Sequence, residues 1–269
     1  MIKTGEIASR LDKYLASAGE DLRVEEVRIG LGYVGVRIEG ERRIGLAAVL
    51  RSELSPCCSV LAEAGHLAGL SVSVLLSRLV EGKNPLEKAL GLATANALIA
   101  PGPPLMTSSP DDEENDAIGL INLTPQDKVA MIGLFSPLVS RIEKSGAALS
   151  IIERNETMRG VPLVHLPEDQ ETEIRRKILQ ECTVAIITAT SILNDTLEEV
   201  LNGLGTPRHV LILGPSTPLC AEVFRGTPVT HLGGSAVLDE GKVMQIVSEG
   251  GGTRQLRPFL RFVNVAVRG

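Results

Sequence analysis

The stretch VAMIGLFSPLVSRIEKSGAALSIIE, from Val129 to Glu153, predicts the fold of the second half of the chain. It begins with an apolar run from Val129 to Phe135, continues with a helical pattern from Pro137 to Ser145, and ends with a second apolar run from Ala148 to Glu153. Short apolar strands that alternate with helices are typical of parallel sheets, because each helix carries the chain back to the start of the next strand. The segment therefore predicts one strand, helix and strand unit of an α/β sheet.

The alternation of predicted strands and helices continues towards the end of the sequence. Further strands are predicted at Thr183 to Thr188, His209 to Gly214 and Val229 to Leu232, with helices at Glu171 to Gln180, Thr196 to Gly203 and Lys242 to Ser248. The β-rich tail from Phe259 to Val267 predicts an added edge strand. Residues 127–269 are thus expected to form a Rossmann-like, doubly wound parallel sheet.

The first hundred residues follow a different pattern. The predicted elements are a helix at Ile7 to Ala16, an extended stretch at Val24 to Glu39, a strand at Arg43 to Leu50, and helices at Ser59 to Leu67, Val72 to Leu79 and Asn84 to Ile99. A hairpin followed by helices predicts a smaller α+β domain over residues 1–104. The proline-rich stretch 101–104 ends the last helix, and a polar linker is placed at residues 105–126.

The composition, together with the lack of a membrane-spanning run or leader, favours a soluble, cytoplasmic protein. The chain has 269 residues, of which 43% are hydrophobic and 2% aromatic, and its formal net charge is -6. Lysines and arginines are scattered, so a nucleic-acid partner is not expected. No apolar run approaches the roughly 18 residues that a membrane helix needs, and no leader sequence is visible. Homo-oligomerisation stays open.

Polar and glycine residues follow the predicted strands, at the edge where open parallel sheets bind their ligands. Gly133 would allow close approach of a ligand, and the helix that begins after Phe135 would face an anion. Only the first glycine of the dinucleotide-binding pattern is present, so a tight turn explains these residues equally well. Glu153 follows about twenty residues later, where nucleotide folds place a carboxylate that binds ribose. A solvated glutamate beside Arg154 is the alternative.

The next two strand ends are also rich in hydrogen-bonding groups. Thr190, Ser191 and Asn194 gather after the third predicted strand, where they favour ligand binding. Capping of the following helix by Asn194 or Asp195 is the alternative. The fourth strand ends in Gly214-Pro-Ser-Thr-Pro218, a turn that can present amides and hydroxyls to an anion or form a plain capped turn. Gly233, after the weaker fifth strand, is a further candidate.

The sequence assigns no catalytic group and no metal site. The four cysteines, Cys57, Cys58, Cys182 and Cys220, lack metal-binding or redox spacing and are read as reduced, buried thiols. No serine lies in a nucleophile elbow, and the four histidines are far apart in sequence. A soft-metal site would require the two adjacent cysteines to meet His66 in space, because two neighbouring thiolates do not complete a coordination shell.

Several segments together resemble an uncharacterised family that carries the label of a heavy-metal chelation domain. They are Val129–Phe135, Glu153-Arg154-Asn155, Thr188–Thr196, and Gly214–Pro218 with Gly233-Gly234. Members of that family pair a Rossmann-like domain with an N-terminal domain similar in fold to the N-terminal part of enolase, so the resemblance implies this architecture for nearly the whole chain. The segment Gly91–Ala97 matches a family pattern whose asparagine points towards the interdomain cleft, which implies a role for Asn96. The chain departs from the pattern at Ser136, Ala189 and Asp195.

Residues and resemblance together predict a small-molecule-binding protein with its site in the interdomain cleft. The leading hypothesis is an enzyme that makes or processes a metal-chelating compound, pterin-like or siderophore-like. The expected ligand-binding residues are Asn96, Gly133, Phe135, Glu153, Thr190, Ser191, Asn194, Gly214, Pro215, Ser216, Thr217 and Gly233. Two alternatives stay open: a non-catalytic protein that binds a heavy metal or metal complex, and a relative of S-adenosylmethionine-dependent methyltransferases. The cofactor is not fixed; a nucleotide-like or pterin-like ligand and a heavy metal are the candidates.

Overall fold

The computed structural model describes residues 1–40, 43–56, 59–100, 119–153 and 168–267. Several residues named above lie outside these ranges, namely Cys57, Cys58, Arg154, Asn155 and most of the predicted linker. No helix in these ranges is both long and apolar enough to cross a membrane. The predicted domain boundaries at residues 104 and 126 stay a prediction.

The N-terminal part is a three-stranded antiparallel sheet packed against helices. Its elements are α1 (Glu6–Leu15), β1 (Val24–Ile29), β2 (Tyr33–Ile38), β3 (Arg43–Ala48), α2 (Val72–Glu81) and α3 (Pro85–Ile99), and the strand order is β1-β2-β3. The predicted stretch from Val24 to Glu39 is two strands rather than one. A turn separates them because Gly30 packs against the far end of the chain, where a Cβ atom would lie 1.9 Å from the carbonyl oxygen of Val247.

One predicted helix of this part is wrong. The segment from Ser59 to Leu67 forms turns, although its apolar residues recur at helical spacing. Leu61 and Leu67 are buried, while the residues between them are exposed. Gly65 has φ +91°, a left-handed conformation that is incompatible with a continuing α-helix. Two separate apolar anchors, rather than one helical stripe, explain the spacing.

The C-terminal part is an α/β unit built on a six-stranded sheet, as the sequence predicts. Its elements are β4 (Lys128–Ile132), α4 (Ser136–Lys144), β5 (Ala148–Ile152), α5 (Glu168–Glu181), β6 (Val184–Thr188), α6 (Leu197–Gly203), β7 (His209–Leu213), β8 (His231–Val237), α7 (Glu240–Ser248), α8 (Thr253–Leu256) and β9 (Leu260–Ala266). The order β5-β4-β6-β7-β8-β9 is parallel except for the antiparallel edge strand β9. This is the doubly wound arrangement with its reversal of strand order between β4 and β6.

The fifth parallel strand differs from its predicted position. The pattern places it at Val229 to Leu232, with Gly233 after its end, whereas β8 begins at His231 and continues past both glycines to Val237. Pairing with β9 explains the extension, since Gly233 lies opposite Asn264 in the antiparallel ladder. Gly233 is therefore inside a strand and not at its carboxyl end.

The two parts share one apolar core. A single cluster of buried side chains contains Ile7 and Leu75 from the N-terminal part together with Ile187 and Ile212 from the C-terminal sheet. Helix α3 covers one face of the small sheet, and α7 from the C-terminal part covers the other face, where Val243 and Val247 join the cluster of Tyr33 and Leu46. Burial of apolar surface across this boundary holds the two parts together.

At the amino-terminal edge of the large sheet, the buried carboxylate of Asp127 joins neighbouring segments through hydrogen bonds. Asp127 is 5% exposed; its carboxylate accepts hydrogen bonds from Arg208 at 3.0 and 2.8 Å, from the Thr183 hydroxyl at 2.8 Å and from the Thr124 amide at 2.8 Å. The Arg208 guanidinium, the largest cause, holds the pKa of Asp127 well below its usual range. Such a group stabilises the fold in its ionised form.

We expect Asp127→Asn to lower the free energy of unfolding at pH 7 by about 2 kcal/mol, because the charge-assisted bonds to Arg208 are lost. A depressed pKa contributes stability above the unfolded value of about 3.9, and this contribution disappears as the pH falls. The difference between wild type and variant should therefore shrink below about pH 4. Urea unfolding across pH measures it, with the exposed Asp21→Asn as control; a difference independent of pH would contradict the assignment.

Candidate functional site

A cleft of about 570 Å³ lies between the two parts of the molecule. Strand β3 and the end of α3 form one wall, and the loop after β7, strands β8 and β9 and the first turn of α7 form the other. Its volume is in the range of small-molecule sites. The lining residues are Ile44, Gly45, Leu46, Asn96, Ile99, Ala100, Pro215, Thr217, Leu219, Ser235, Ala236, Val237, Leu238, Asp239, Glu240, Gly241 and Arg261.

Asn96 reaches the cleft from helix α3. This helix begins at Pro85 because the Asn84 side chain accepts hydrogen bonds from the first free amides, and its buried alanines and leucines place it against β3. The Asn96 Nδ2 donates to the carbonyl oxygen of Leu46 at 2.8 Å and to that of Ser216 at 3.1 Å. Its Oδ1 is buried and has no partner among the described residues. Asn96 therefore joins the two parts and keeps one free acceptor.

The loop after β7 meets Asn96 from the other side. Ser216 is buried, and its Oγ accepts a hydrogen bond from the Ala48 amide at 2.8 Å, which ties the loop to β3. The Thr217 amide donates to the carbonyl oxygen of Gly214 at 2.9 Å and closes the turn. The Thr217 Oγ1 is buried without a partner in the described part of the chain. Ser216 is thus used by the fold, whereas the hydroxyl of Thr217, a residue that lines the cleft, has no partner.

Three charged side chains line the cleft. Asp239 accepts a hydrogen bond from the Lys242 amide at 2.9 Å and caps α7, and Glu240 lies 4.0 Å from the Arg37 guanidinium. Arg261, on β9, has a buried Nε with no partner, and within the described ranges its side chain makes no hydrogen bond or ion pair. The two acids are therefore engaged by the protein, while the arginine is not.

A second group of predicted residues lies at the carboxyl edge of β4, β5 and β6. One Glu153 oxygen accepts the Leu134 amide at 2.9 Å, which fastens the turn that contains Gly133. The Thr190 hydroxyl is 3.0 Å from that of Thr188, and the Ser191 hydroxyl donates to the Thr188 carbonyl oxygen at 2.7 Å. Phe135 packs against the core beneath the sheet. None of these side chains is among those that line the cleft.

The segment after β6 connects the two parts instead of capping a helix. Asn194 Nδ2 donates to the Glu53 carboxylate at 3.0 Å, and Lys88 of α3 forms an ion pair with Asp195. Helix α6 begins at Leu197 with no side-chain cap, so the capping alternative does not hold. Asp195 has φ +58°, a left-handed turn in which its carboxylate meets Lys88.

The structure therefore divides the predicted site residues into two groups. Asn96, Pro215 and Thr217 line the cleft, and Ser216 and Gly214 lie in the same loop. Gly233 is bonded through its carbonyl oxygen to the Gly214 amide at 3.0 Å, next to this group. The others stand at the carboxyl edge of the sheet, namely Gly133, Phe135, Glu153, Thr190, Ser191 and Asn194.

Comparison with known proteins gives the family of the chain. Two family profiles match it, DUF364 over residues 116–266 and DUF4213 over residues 11–99, and both carry the description "Putative heavy-metal chelation". The chain belongs to this family. The resemblance seen in the strand-end segments is thereby confirmed.

Relatives in other organisms match almost the whole length. An uncharacterised protein of Methanocaldococcus jannaschii is 24% identical over 246 residues, which cover 89% of this chain and 88% of that protein. A DUF364-family protein of unknown function from Pyrococcus horikoshii, solved by crystallography, is 24% identical with a TM-score of 0.76 and covers 97% of this chain and 100% of its own. A family member from Desulfitobacterium hafniense gives the same identity and TM-score, with 98% coverage of both chains. These likenesses show the fold.

The description of the family raises the question of direct metal binding by the protein. The described residues contain no group of three or more histidine, cysteine, aspartate or glutamate side chains that would hold a metal ion. Cys182 and Cys220 are buried in separate places, and burial raises the pKa of both thiols. His209 and His231 contact each other edge to face at 5.3 Å, at the amino-terminal edge of the sheet away from the cleft. The side chains in these ranges therefore do not fit a directly bound metal.

Sequence reasoning missed part of the cleft wall of this family member. Arg261 lies in the tail that the sequence predicts only as an edge strand, and Asp239 and Glu240 lie just before the predicted helix from Lys242 to Ser248. The single signal in the sequence is a charged residue inside a β-rich tail, a pattern that also fits a solvent-facing position of an edge strand. The position of Arg261 beside the cleft depends on the pairing of β9 with β8.

Proposed function

We propose that the protein binds a small metal-chelating molecule in the cleft between its two parts, so that the molecule rather than the protein's own side chains holds the metal. Two buried, unpaired polar atoms on residues that line one cleft carry the proposal, Asn96 Oδ1 and Thr217 Oγ1. Both lie on segments that the sequence singles out. The family description supports the link with metal chelation.

These two unpaired groups lower the stability of the ligand-free protein. A buried polar atom without a partner costs about 1–3 kcal/mol, and native folds leave few of them. A ligand with a donor for Asn96 and an acceptor or donor for Thr217 removes both costs. The same groups would disfavour a purely apolar ligand, because it would leave them unsatisfied.

The walls of the cleft also suit an organic chelator. Aliphatic side chains, among them Ile44, Leu46 and Leu219, would contact the apolar part of a bound chelator, and the polar groups would fix its orientation. Both cleft carboxylates are already bound within the protein, so the geometry supports binding better than acid–base catalysis. Binding of a siderophore-like or pterin-like molecule is therefore the function that we propose.

A thermal-shift experiment tests the proposal. The probes are 2,3-dihydroxybenzoate, benzohydroxamate and pterin-6-carboxylate, each alone and as its iron(III) or zinc complex, with S-adenosylmethionine and ATP for comparison. Saturation at about 100 times the Kd adds about 2.7 kcal/mol, which raises the Tm by about 5 °C or more for a chain of this size. A response to the chelators supports the proposal; no response to any of them, or a response only to S-adenosylmethionine or ATP, contradicts it.

We expect Thr217→Val to separate binding from stability. Valine keeps the shape but removes a hydroxyl that has no partner, so the free energy of unfolding should stay the same or rise by up to about 1 kcal/mol. Affinity for a responding chelator, measured by calorimetry, should fall about tenfold because a hydrogen bond is lost. Thr94→Val is the matched control, since Thr94 is fully buried on the same helix as Asn96 and its hydroxyl is bonded to the Leu90 carbonyl. Equal affinity of the Thr217 variant and wild type would contradict the role of this hydroxyl.

A further inference from the structure

We infer that Arg261 is the anion-binding residue of the cleft and that the ligand carries a single carboxylate. The inference rests on the proposed function and adds the charge and the chemical class of the ligand. It starts from a guanidinium that lines the cleft, has a buried Nε, and makes no hydrogen bond or ion pair with any described residue.

An arginine without a partner is unusual at a partly buried position. Loss of hydration around a cation costs several kcal/mol unless an anion or several acceptors replace the water. Other part-buried arginines in the described ranges are paired, as Arg37 is with Glu26 and Arg78 with Glu63. Arg261 is held in place by the β8–β9 ladder, where it lies opposite Ala236, another residue of the cleft wall. Its position is thus fixed by the fold while its charge is left for a ligand.

The neighbouring acids do not compensate this charge. Asp239 is occupied as the cap of α7, and Glu240 faces Arg37, so neither forms an ion pair with Arg261. They nevertheless place two negative charges along the cleft wall. A monoanion can reach the guanidinium, whereas a phosphate dianion would meet more repulsion from the two carboxylates. The cleft therefore favours a carboxylate over a nucleotide or another phosphate ester.

The geometry of the guanidinium points in the same direction. Arginine binds a planar carboxylate through two parallel N–H···O bonds from its rigid fork of donors. Asn96 Oδ1 then requires a hydrogen-bond donor elsewhere on the ligand, and the aliphatic walls require an apolar body between the two. A carboxylate with an apolar ring and a hydroxyl or amino group meets all three conditions.

Isothermal titration calorimetry with two isosteric probes tests the inference. The probes are 2,3-dihydroxybenzoate and its neutral amide, 2,3-dihydroxybenzamide, and the proteins are wild type, Arg261→Gln, Arg261→Lys and the control Arg254→Gln, which alters an exposed arginine of α8. Wild type should bind the carboxylate at least about tenfold more tightly than the amide. Arg261→Gln should remove this preference, Arg261→Lys should restore part of it, and Arg254→Gln should leave it unchanged.

The outcomes separate this inference from the proposed function. If Thr217→Val weakens both probes while Arg261→Gln changes neither, the carboxylate assignment is wrong and the cleft remains the binding site. If wild type binds neither probe and no other chelator shifts its Tm, both fail. The Tm of Arg261→Gln should equal or exceed that of wild type, because an unpaired and partly buried cation is removed. A lower Tm together with unchanged probe affinities would assign a structural role to Arg261 and overturn the inference.

Discussion

Gly45→Ala is expected to lower the free energy of unfolding by more than about 3 kcal/mol, the largest effect on stability that we predict. Strand β3 and helix α3 touch at this glycine, where an added Cβ would lie 1.9 Å from the carbonyl oxygen of Ala93 and 2.2 Å from the amide nitrogen of Ala97. Both are backbone atoms, so the clash is relieved only if the helix moves away from the sheet. That movement would also displace Asn96 and open one wall of the cleft.

Urea unfolding of Gly45→Ala measures the effect, and Gly241→Ala is the matched control. Gly241 also lines the cleft, but the atom nearest to its added Cβ would be 3.6 Å away, on the Asp239 side chain. Because this glycine lies in the first turn of α7, alanine should be neutral or stabilise by up to about 1 kcal/mol. A Gly45 variant as stable as wild type would show that α3 does not approach β3 as closely as described.

The second large effect is expected for Asn96→Asp. The amide donates to two carbonyl oxygens, one from each part of the molecule. A carboxylate of the same shape would instead oppose both oxygens, so two hydrogen bonds become repulsive contacts. We expect a loss of about 3 kcal/mol or more in the free energy of unfolding at pH 7, and loss of chelator binding.

Denaturant unfolding and calorimetry of Asn96→Asp measure the two effects, and Asn202→Asp is the control. Asn202 also joins the two parts, through bonds to the amide and carbonyl of Ile2, but these bonds are exposed to solvent. The same chemical change there should cost less than about 1 kcal/mol and leave binding unchanged. Equal losses for the two variants would contradict a special role for Asn96.

The large sheet is predicted well from the sequence, and the small sheet less well. β4, β6 and β7 each contain at least four consecutive apolar residues and are bounded by glycine or polar residues, so local composition alone defines them. In the sequence, the turn between β1 and β2 looks like a shift in the alternation of apolar residues along one strand. The glycines of this turn are required by contacts with residues more than two hundred positions away. No local pattern contains that information.

The residues of the candidate site also differ in whether the sequence alone can select them. The Gly214–Pro218 loop stands out as a polar strand end, so it can be selected before the fold is known. Asn96 is selected only through the resemblance of Gly91–Ala97 to the family pattern, because a single amide on an alanine and leucine helix indicates no role by itself. Arg261 cannot be selected, because its role depends on the antiparallel addition of β9 beside β8. The sequence suggests that all strand-end residues converge, whereas the cleft uses only those from β7 and leaves those of β4, β5 and β6 outside its walls.

This division leaves two places where a ligand could bind. One is the cleft between the parts, and the other is the carboxyl edge of β4 and β6, where doubly wound sheets bind nucleotides at the reversal of strand order. The second place holds Gly133, Glu153 and Thr190, but most of their described polar atoms are already bonded within the protein. Unpaired buried groups favour the cleft.

A crystal structure of the protein soaked with 2,3-dihydroxybenzoate tests this choice most directly. Our account predicts density in the cleft, with the carboxylate on the Arg261 guanidinium and a ring hydroxyl within hydrogen-bond distance of Asn96 Oδ1 or Thr217 Oγ1. Density beside Gly133 and Thr190, with the cleft empty, would contradict it.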